Sequence, residues 1–223
     1  MKYLYLVGAF MISSLSASVL QAGTISLSIQ ENDLTALTAS NNSGFVHIAD
    51  NTSYNDFTIE SLTGTGSPEL SVPYLDLSTF DVSTSLSTSA TLTIMLTETN
   101  LTQPGTIGVN SFFTGILNGV TSETLSSYYD ASNAAYGTAD LLGTTTFTSA
   151  GSNSINEQSG ITTSGKFSET EVIVATFAPT SGNPDSLNSS ALITATPEPM
   201  SMAFAGAGLF GIGLIGARRR KKA

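Results

Sequence analysis

The chain has 223 residues, with seven Lys and Arg, 17 Asp and Glu, one His and no Cys, which allows one domain or two small ones. A single imidazole and no thiol exclude zinc sites of several His or Cys ligands, cysteine nucleophiles, Cys-held iron–sulfur clusters and disulfides. Residues 23–196 carry 16 acidic residues and Lys166 as the one cation, which excludes nucleic acid as a partner because its binding requires basic residues.

The N-terminus has the three-part layout of a secretory signal peptide. Lys2 is followed by an apolar run at residues 4–12 and then by small residues up to Ala22 and Gly23. We expect signal peptidase to cleave after Ala22, so that Gly23 begins the mature protein. The apolar run is short for a membrane span, which disfavours the alternative of an uncleaved anchor. Residues beyond 23 are therefore expected outside the cytoplasm.

The body of the chain, residues 23–196, is rich in Ser and Thr and has its hydrophobic residues in short groups. Residues 24–30 and 91–98 alternate polar and apolar side chains, the period of a strand with one buried face. Further strands are predicted at 45–49, 55–62, 70–77, 106–114, 120–128, 142–149, 161–167, 171–178 and 190–196. Turn residues separate these strands at intervals of about ten residues.

This succession of about eleven short strands, with no helical pattern between them, predicts a mainly β fold. We expect a two-layer antiparallel β-sandwich of jelly-roll or immunoglobulin-like type. The alternative is a β-rich domain with disordered Ser/Thr-rich segments. Residues 79–91 have the composition most typical of a linker.

The C-terminus combines a tripeptide, an apolar stretch and a basic tail. The tripeptide is Pro197-Glu198-Pro199. Residues 200–217 are uncharged and, at about 27 Å as a helix, are long enough to span the hydrocarbon core. The basic tail consists of Arg218, Arg219, Arg220, Lys221 and Lys222. By the positive-inside rule the tail stays cytoplasmic and the body lies on the far side, in agreement with the signal peptide.

This order of features resembles the PEP-CTERM sorting signal of Gram-negative bacteria. The resemblance covers residues 197–223 and implies an exosortase substrate that is cut at the tripeptide. It implies a membrane-anchored precursor, held transiently in the inner membrane by its C-terminal helix, and then a location at the cell surface or outside the cell. Proteins with this signal are often associated with exopolysaccharide production and with biofilm. The resemblance assigns no activity to residues 23–196, and it divides the chain into 1–22, 23–196 and 197–223.

A second, looser similarity covers Ser126 to Ala178. In the bodies of many PEP-CTERM proteins, a motif like that at residues 129–133 precedes one like that at residues 137–143, and a pair of strands follows. This similarity implies a surface protein with a sandwich body. It carries over no catalytic residue.

No catalytic constellation stands out, and we predict that the protein is not an enzyme. The G-x-S-x-G elbow of a serine hydrolase is absent, and His47 alternates with Val46 and Ile48, which predicts a surface or rim position. Glycoside hydrolysis needs two carboxylates about 5–10 Å apart. Candidates are Glu60, Glu98, Glu123, Glu157, Glu169 and Glu171. Glu169 and Glu171 would share one strand face, which we interpret as a solvated edge that resists aggregation.

Two kinds of ligand remain open for the body. Tyr128, Tyr129 and Tyr136 are candidate sugar-binding residues because a tyrosine ring is both apolar and polar; core or turn packing is the alternative. No cofactor is required, but calcium could bind oxygen ligands in two loops, and the acidic body would attract it. The candidate ligands are Asp50, Asn51, Asn55 and Asp56 in one loop and Asp130, Asn133 and Asp140 in the other. Asx-turns would explain both loops without a metal.

Three hypotheses follow for residues 23–196. The first is an exported structural or interaction component of the cell surface, associated with exopolysaccharide. The alternatives are a carbohydrate-active enzyme of the envelope and a calcium-dependent carbohydrate-binding or adhesive module.

Overall fold

A computed structural model describes residues 23–48, 51–70, 74–103, 105–179 and 184–196. Within these ranges the chain forms 13 strands and no helix: β1 Thr24–Glu31, β2 Leu37–Asn41, β3 Phe45–Ile48, β4 Thr52–Tyr54, β5 Phe57–Thr65, β6 Tyr74–Thr84, β7 Ala90–Thr102, β8 Gly105–Asn118, β9 Val120–Asp130, β10 Asp140–Phe147, β11 Gly151–Thr163, β12 Lys166–Phe177 and β13 Asp185–Thr196. The described part therefore contains no helix that could cross a membrane. The predicted signal peptide, tripeptide, apolar stretch and basic tail lie outside the described residues. The same holds for the candidate processing and sorting residues Ala22, Pro197, Glu198, Pro199, Arg218, Arg219 and Arg220.

The strands form two antiparallel sheets. Sheet A has the order β10-β9-β12-β7-β1-β2, and sheet B has the order β11-β8-β13-β6-β5-β3, with β4 paired to β5. The last eight strands have the order of an eight-stranded jelly roll. In sheet B this order is β6-β13-β8-β11, and in the facing sheet A it is β7-β12-β9-β10. The predicted antiparallel sandwich is confirmed, and β1 to β5 extend both of its sheets.

The core lies between the two sheets because their strands alternate buried and less buried residues. Leu27 on β1 lies opposite Leu96 on β7 in sheet A, and both are fully buried. A Cβ at Gly64 of sheet B would overlap the Leu96 side chain, so the sheets approach closely here. Farther along, Phe57 of sheet B packs edge-on against Phe177 of sheet A, with ring centroids 5.1 Å apart.

The strand predictions fail where a strand has no buried face. Strands β1 and β7 were recognised from their alternation, whereas β2, β4 and most of β11 were missed because they are short or largely exposed. The prediction of one strand at 161–167 is wrong, since residues 164–165 form the turn between β11 and β12. The prediction of a linker at 79–91 is also wrong over most of its length, because β6 continues to Thr84 and β7 begins at Ala90.

Candidate functional site

The connection between β9 and β10, residues 131–139 and called here the β9–β10 loop, lies across neighbouring strands of sheet A. The Ser168 hydroxyl of β12 donates a hydrogen bond to the Ala134 carbonyl at 2.7 Å. The backbone N–H of Asn100 on β7 donates to Asn133 Oδ1 at 2.6 Å. Because β12 and β7 lie between β9 and β1 in sheet A, the loop reaches over these two strands toward β1.

The covered surface is the outer face of the sheet. Leu96 and Glu98 point into the core, so Thr97 between them points outward, and its neighbour Thr170 on β12 does the same. Both threonines are nevertheless fully buried, as expected for residues beneath a loop. They are joined by a hydrogen bond of 3.1 Å between their hydroxyl groups.

The β9–β10 loop is also held by its own hydrogen bonds. Asp130 Oδ1 accepts the Ser132 N–H at 2.7 Å, the Asx-turn predicted from the sequence. The Asn133 N–H donates to the Asp130 carbonyl at 3.1 Å, and the Gly137 N–H donates to the Ala134 carbonyl at 3.2 Å. Together with its bonds to β7 and β12, these interactions pre-organise the loop.

Tyr136, near the end of this loop, lines an open depression of about 270 Å³. Its other lining residues are Ser26 of β1 and Thr38, Ala39 and Ser40 of β2. Tyr136 has a φ of 56°, in the left-handed region that is unfavourable for a bulky side chain. Such strain persists only where surrounding structure enforces it, and it concentrates at functional sites. Partial burial raises the pKa of the Tyr136 hydroxyl. The depression thus offers an aromatic ring beside a row of aliphatic hydroxyl groups.

The three candidate tyrosines do not form one platform. Tyr128 and Tyr129 are consecutive on β9 and therefore point to opposite faces of sheet A. Tyr129 points into the sandwich, where its ring packs against Phe167 with centroids 5.3 Å apart and its hydroxyl donates to the Thr162 carbonyl at 3.5 Å. The packing alternative holds for Tyr129, and of the three only Tyr136 lines the depression.

The first candidate calcium loop forms turns. Asp50 lies outside the described residues. Asn51 and Asn55 flank β4 with φ values of 55° and 50°, a conformation that Asn adopts readily in turns. Asn55 and Asp56 form the two-residue connection between β4 and β5, and the Asp56 carbonyl accepts a hydrogen bond from the Thr84 hydroxyl at 2.7 Å.

In the second candidate calcium loop, the side-chain oxygens Asp130 Oδ1 and Asn133 Oδ1 accept the backbone hydrogen bonds described above. Asp140 is exposed at the start of β10, opposite Tyr129. Within the described ranges, no group of three or more His, Cys, Asp or Glu side chains is placed to hold a metal ion.

Four of the candidate glutamates lie in the core of the sandwich. Glu98, Glu123, Glu169 and Glu171 are all fully buried between the sheets, so the predicted solvated edge for Glu169 and Glu171 is wrong. Both lie on β12 on the same face as Ile173 and Phe177, which are also fully buried. That shared face was visible in the alternation of the sequence and could have revealed their burial.

The surroundings of these carboxyl groups are poor in hydrogen-bond donors. Glu98 Oε1 and Oε2 accept the Ser67 N–H at 3.0 and 2.9 Å, and Glu123 Oε1 accepts the Ser189 hydroxyl. Neither oxygen of Glu169 has a hydrogen-bond partner. Two glycines leave room for the side chains of Glu98 and Glu123. A Cβ at Gly66 would overlap Glu98, and a Cβ at Gly115 would overlap Glu123.

Burial raises the pKa of each of these groups. The pKa rises from 4.5 to about 7 for Glu98 and Glu123, and the hydrogen bonds from Ser67 and Ser189 limit the rise. For Glu169, burial and the negative charge of Glu98, its partner on the neighbouring strand, raise the pKa to about 8. The Glu171 pKa is raised well above 4.5 by burial and then by Asp76, while the N–H groups of Leu77 and Ile193 partly offset this.

The other two candidate glutamates for glycoside hydrolysis, Glu60 and Glu157, lie too far apart to act together. Glu60 lies on β5 and Glu157 on β11, four strand positions apart in sheet B. At the usual strand spacing this is about 19 Å, beyond the 5–10 Å that such a pair requires. His47 is exposed on β3, opposite Thr63, as its alternation predicted.

No protein-family model and no curated protein sequence matches the chain. Among solved structures it is similar to TmCBM61 in complex with β-1,4-galactotriose, with 10% identity and a TM-score of 0.35 over 76% of this chain and 88% of that one. It is also similar to the K1 cleaved adhesin domain of Lys-gingipain from Porphyromonas gingivalis W83, with 13% identity and a TM-score of 0.32 over 70% and 92% of the chains. For the CBM6cm-2 module of Cellvibrio mixtus lichenase 5A in complex with cellotriose, identity is 10% and the TM-score 0.28 over 70% and 98%. At these values the similarities carry no argument about what this chain binds.

Proposed function

We propose that the protein is an exported, non-catalytic component of the cell surface or extracellular matrix whose β-sandwich binds polysaccharide. The observation that carries the proposal is the depression at Tyr136, where a strained aromatic residue on an anchored loop faces Ser and Thr hydroxyl groups. A tyrosine ring can pack against the apolar face of a sugar, while hydroxyl groups exchange hydrogen bonds with its edge. No cofactor is needed for this mode of binding.

The charge of the body favours an uncharged polysaccharide as the ligand. Its acidic residues outnumber its cations 16 to one, so an acidic polymer would be repelled. The residues that line the depression are all uncharged. A neutral exopolysaccharide therefore suits this surface better than a uronic-acid polymer.

Replacing Tyr136 by Ala is expected to weaken polysaccharide binding by about tenfold or more, since a buried aromatic contact contributes on the order of 1–3 kcal/mol. Binding would be measured by affinity electrophoresis and calorimetry against a panel of neutral and acidic polysaccharides. Tyr128→Ala is the matched control, because Tyr128 does not line the depression. Unchanged binding in Tyr136→Ala, or turnover of a polysaccharide by the wild-type protein, would contradict the proposal.

We propose that both ends of the chain serve export. Signal peptidase would remove residues 1–22, and an exosortase would act at Pro197-Glu198-Pro199 while residues 200–217 hold the precursor in the inner membrane. The support is the sequence order of these features, with the basic tail placed to remain cytoplasmic.

The intact mass of protein recovered from the exterior of its native cells tests this export route. We expect a chain that starts at Gly23 and ends within residues 197–199, with any added mass identifying an attached group. Replacing the tripeptide Pro197-Glu198-Pro199 by alanines should leave a longer, membrane-bound chain. If the wild-type protein keeps Arg218, Arg219 and Arg220 and stays in the membrane, the sorting proposal fails.

A further inference from the structure

One end of the sandwich differs from the rest of the surface in charge. Strands β8, β10 and β11, called here the neutral end, contact one another across the two sheets. Their only charged residues are Asp140 and Glu157. Glu157 Oε2 accepts the backbone N–H of Thr144 on β10 at 3.0 Å, so this carboxylate points across to the other sheet rather than away from the protein.

The neutral end also carries most of the exposed large hydrophobic residues in the described part of the chain. Of the six large hydrophobic residues that are exposed there, four belong to these strands: Phe112, Ile116, Leu141 and Ile155, which are 39–54% exposed. Two of them, Phe112 and Ile116, lie on the same outer face of sheet B, where they oppose Asn156 and Ser152 of β11, and neighbouring apolar side chains on one face mark an interaction site more often than scattered ones.

Strand β11 forms an open edge at this end. It has 13 residues, whereas the other edge strands β10, β2 and β3 have eight, five and four. It pairs with β8 over its whole length without a register shift, and no other strand in the described ranges pairs with it. An edge strand leaves the N–H and C=O groups of alternate residues unpaired.

Of the features that usually protect such an edge, β11 has only one, the inward charge of Glu157. Its sequence, GSNSINEQSGITT, contains no Pro and no Lys or Arg, and its pairing has no bulge. Native edge strands of this length are normally interrupted or carry outward charges that prevent pairing with another chain. Strand β11 is therefore available to receive an additional strand.

We propose that the neutral end is a self-association surface, on which β11 pairs antiparallel with β11 of a second copy of this chain and joins the two B sheets. Antiparallel pairing of identical strands has two-fold symmetry, so the contact closes at a dimer. The charge distribution supports a second copy as the occupant. Exposed or half-buried acids lie toward the other end, on β5, β6 and the turns beside β1 and β5: Asp33, Asp56, Glu60, Glu69, Asp76 and Asp81.

The distance between β11 and the acidic residues determines how strongly two copies of the chain repel each other when they approach through β11. Strand β5 lies four strand positions from β11, which is about 19 Å. In the proposed dimer the acids on β5 of the two copies are therefore separated by about 43 Å, and those on β6, one position nearer to β11, by about 34 Å. These distances are roughly four to five Debye lengths at physiological ionic strength. Apart from Glu157, whose carboxylate is bound to β10, contact through β11 joins the two copies with little charge repulsion, whereas contact through the opposite edge of sheet B would bring the acids together.

Site-specific cross-linking tests the proposal, because the chain has no Cys of its own. Cysteine is introduced singly at exposed β11 positions, as Ser152→Cys, Ser154→Cys, Asn156→Cys and Gln158→Cys, and the purified protein is oxidised mildly. A disulfide requires Cα atoms within about 7 Å, so we expect a disulfide-linked dimer in high yield at the position nearest the two-fold axis. Thr58→Cys, exposed on β5, is the matched control and should remain monomeric.

Association without cross-linking provides the second measurement. Glutamate at the β11 position that cross-links best, for example Ser154→Glu, places like charges near each other across the proposed interface and is expected to raise the dimer dissociation constant by about tenfold or more in sedimentation equilibrium. Thr58→Glu adds the same charge far from β11 and should leave that constant unchanged. Circular dichroism verifies that each variant is folded. A monomeric wild-type protein, or a dimer that only Thr58→Glu weakens, would overturn the proposal, and either result leaves polysaccharide binding at Tyr136 to be judged by its own test.

Discussion

The thermal stability of the purified protein is expected to fall as the pH rises from about 5 to about 8. In the unfolded chain a glutamate ionises near its ordinary pKa of 4.5, whereas burial raises the native pKa to about 7 for Glu98 and Glu123 and about 8 for Glu169. Between these values the native protein holds more protons than the unfolded chain, so the free energy of unfolding decreases with pH. The loss ends once the native groups also ionise.

The expected size of this effect follows from the pKa changes. One pKa unit corresponds to about 1.4 kcal/mol, so each fully buried group removes on the order of 3 kcal/mol over this range. For a protein of this length 1 kcal/mol corresponds to about 2–4 °C. A decrease in melting temperature of more than about 10 °C is therefore expected between the two pH values, measured by calorimetry in buffers of constant ionic strength.

The variant Glu169→Gln isolates the contribution of one buried carboxyl group. An amide cannot ionise, so this variant should melt at a higher temperature than the wild type at pH 8 and show a flatter pH profile. Glu69→Gln, at an exposed position, removes the same charge and should change stability by less than about 0.5 kcal/mol. A melting temperature that increases from pH 5 to pH 8, or an unchanged profile in Glu169→Gln, would show that these carboxyl groups are not buried as described.

Replacing Phe177 by Ala is expected to lower the free energy of unfolding by about 3–5 kcal/mol. Phe177 is fully buried and packs against Phe57 of the other sheet, so its removal leaves a cavity where the two sheets meet. The chain has no Cys, and its stability therefore depends on packing rather than on disulfides. Urea unfolding monitored by circular dichroism measures the change.

Phe45→Ala provides the comparison for this prediction. Phe45 is 44% exposed on β3, so its truncation should cost less than about 1 kcal/mol, the typical range for a surface position. Equal losses from Phe45→Ala and Phe177→Ala would mean that the contact between the sheets contributes little.

The sequence alone predicted those parts of the fold that have one buried face. Alternation in residues 24–30 and 91–98 marked β1 and β7, and the absence of helical periodicity predicted an antiparallel sandwich. Strand β11 was missed because both of its faces are largely exposed, which removes the alternation. The sequence also predicted the Asx-turn at Asp130, because that interaction joins neighbouring residues.

The tertiary structure alone decided what lies beside each residue. Alternation places Glu169 and Glu171 on one face of a strand, but only the sandwich shows that this face is closed by the opposite sheet. The depression joins Tyr136 to Ser26, 110 positions earlier in the chain, and no local pattern encodes such a contact. The sequence determined the strand period, and the proposed sorting features at the two ends rest on the sequence alone. Strand order determined which carboxyl groups are buried, which tyrosine lines the depression and which edge is open, because these depend on contacts between residues far apart in the chain.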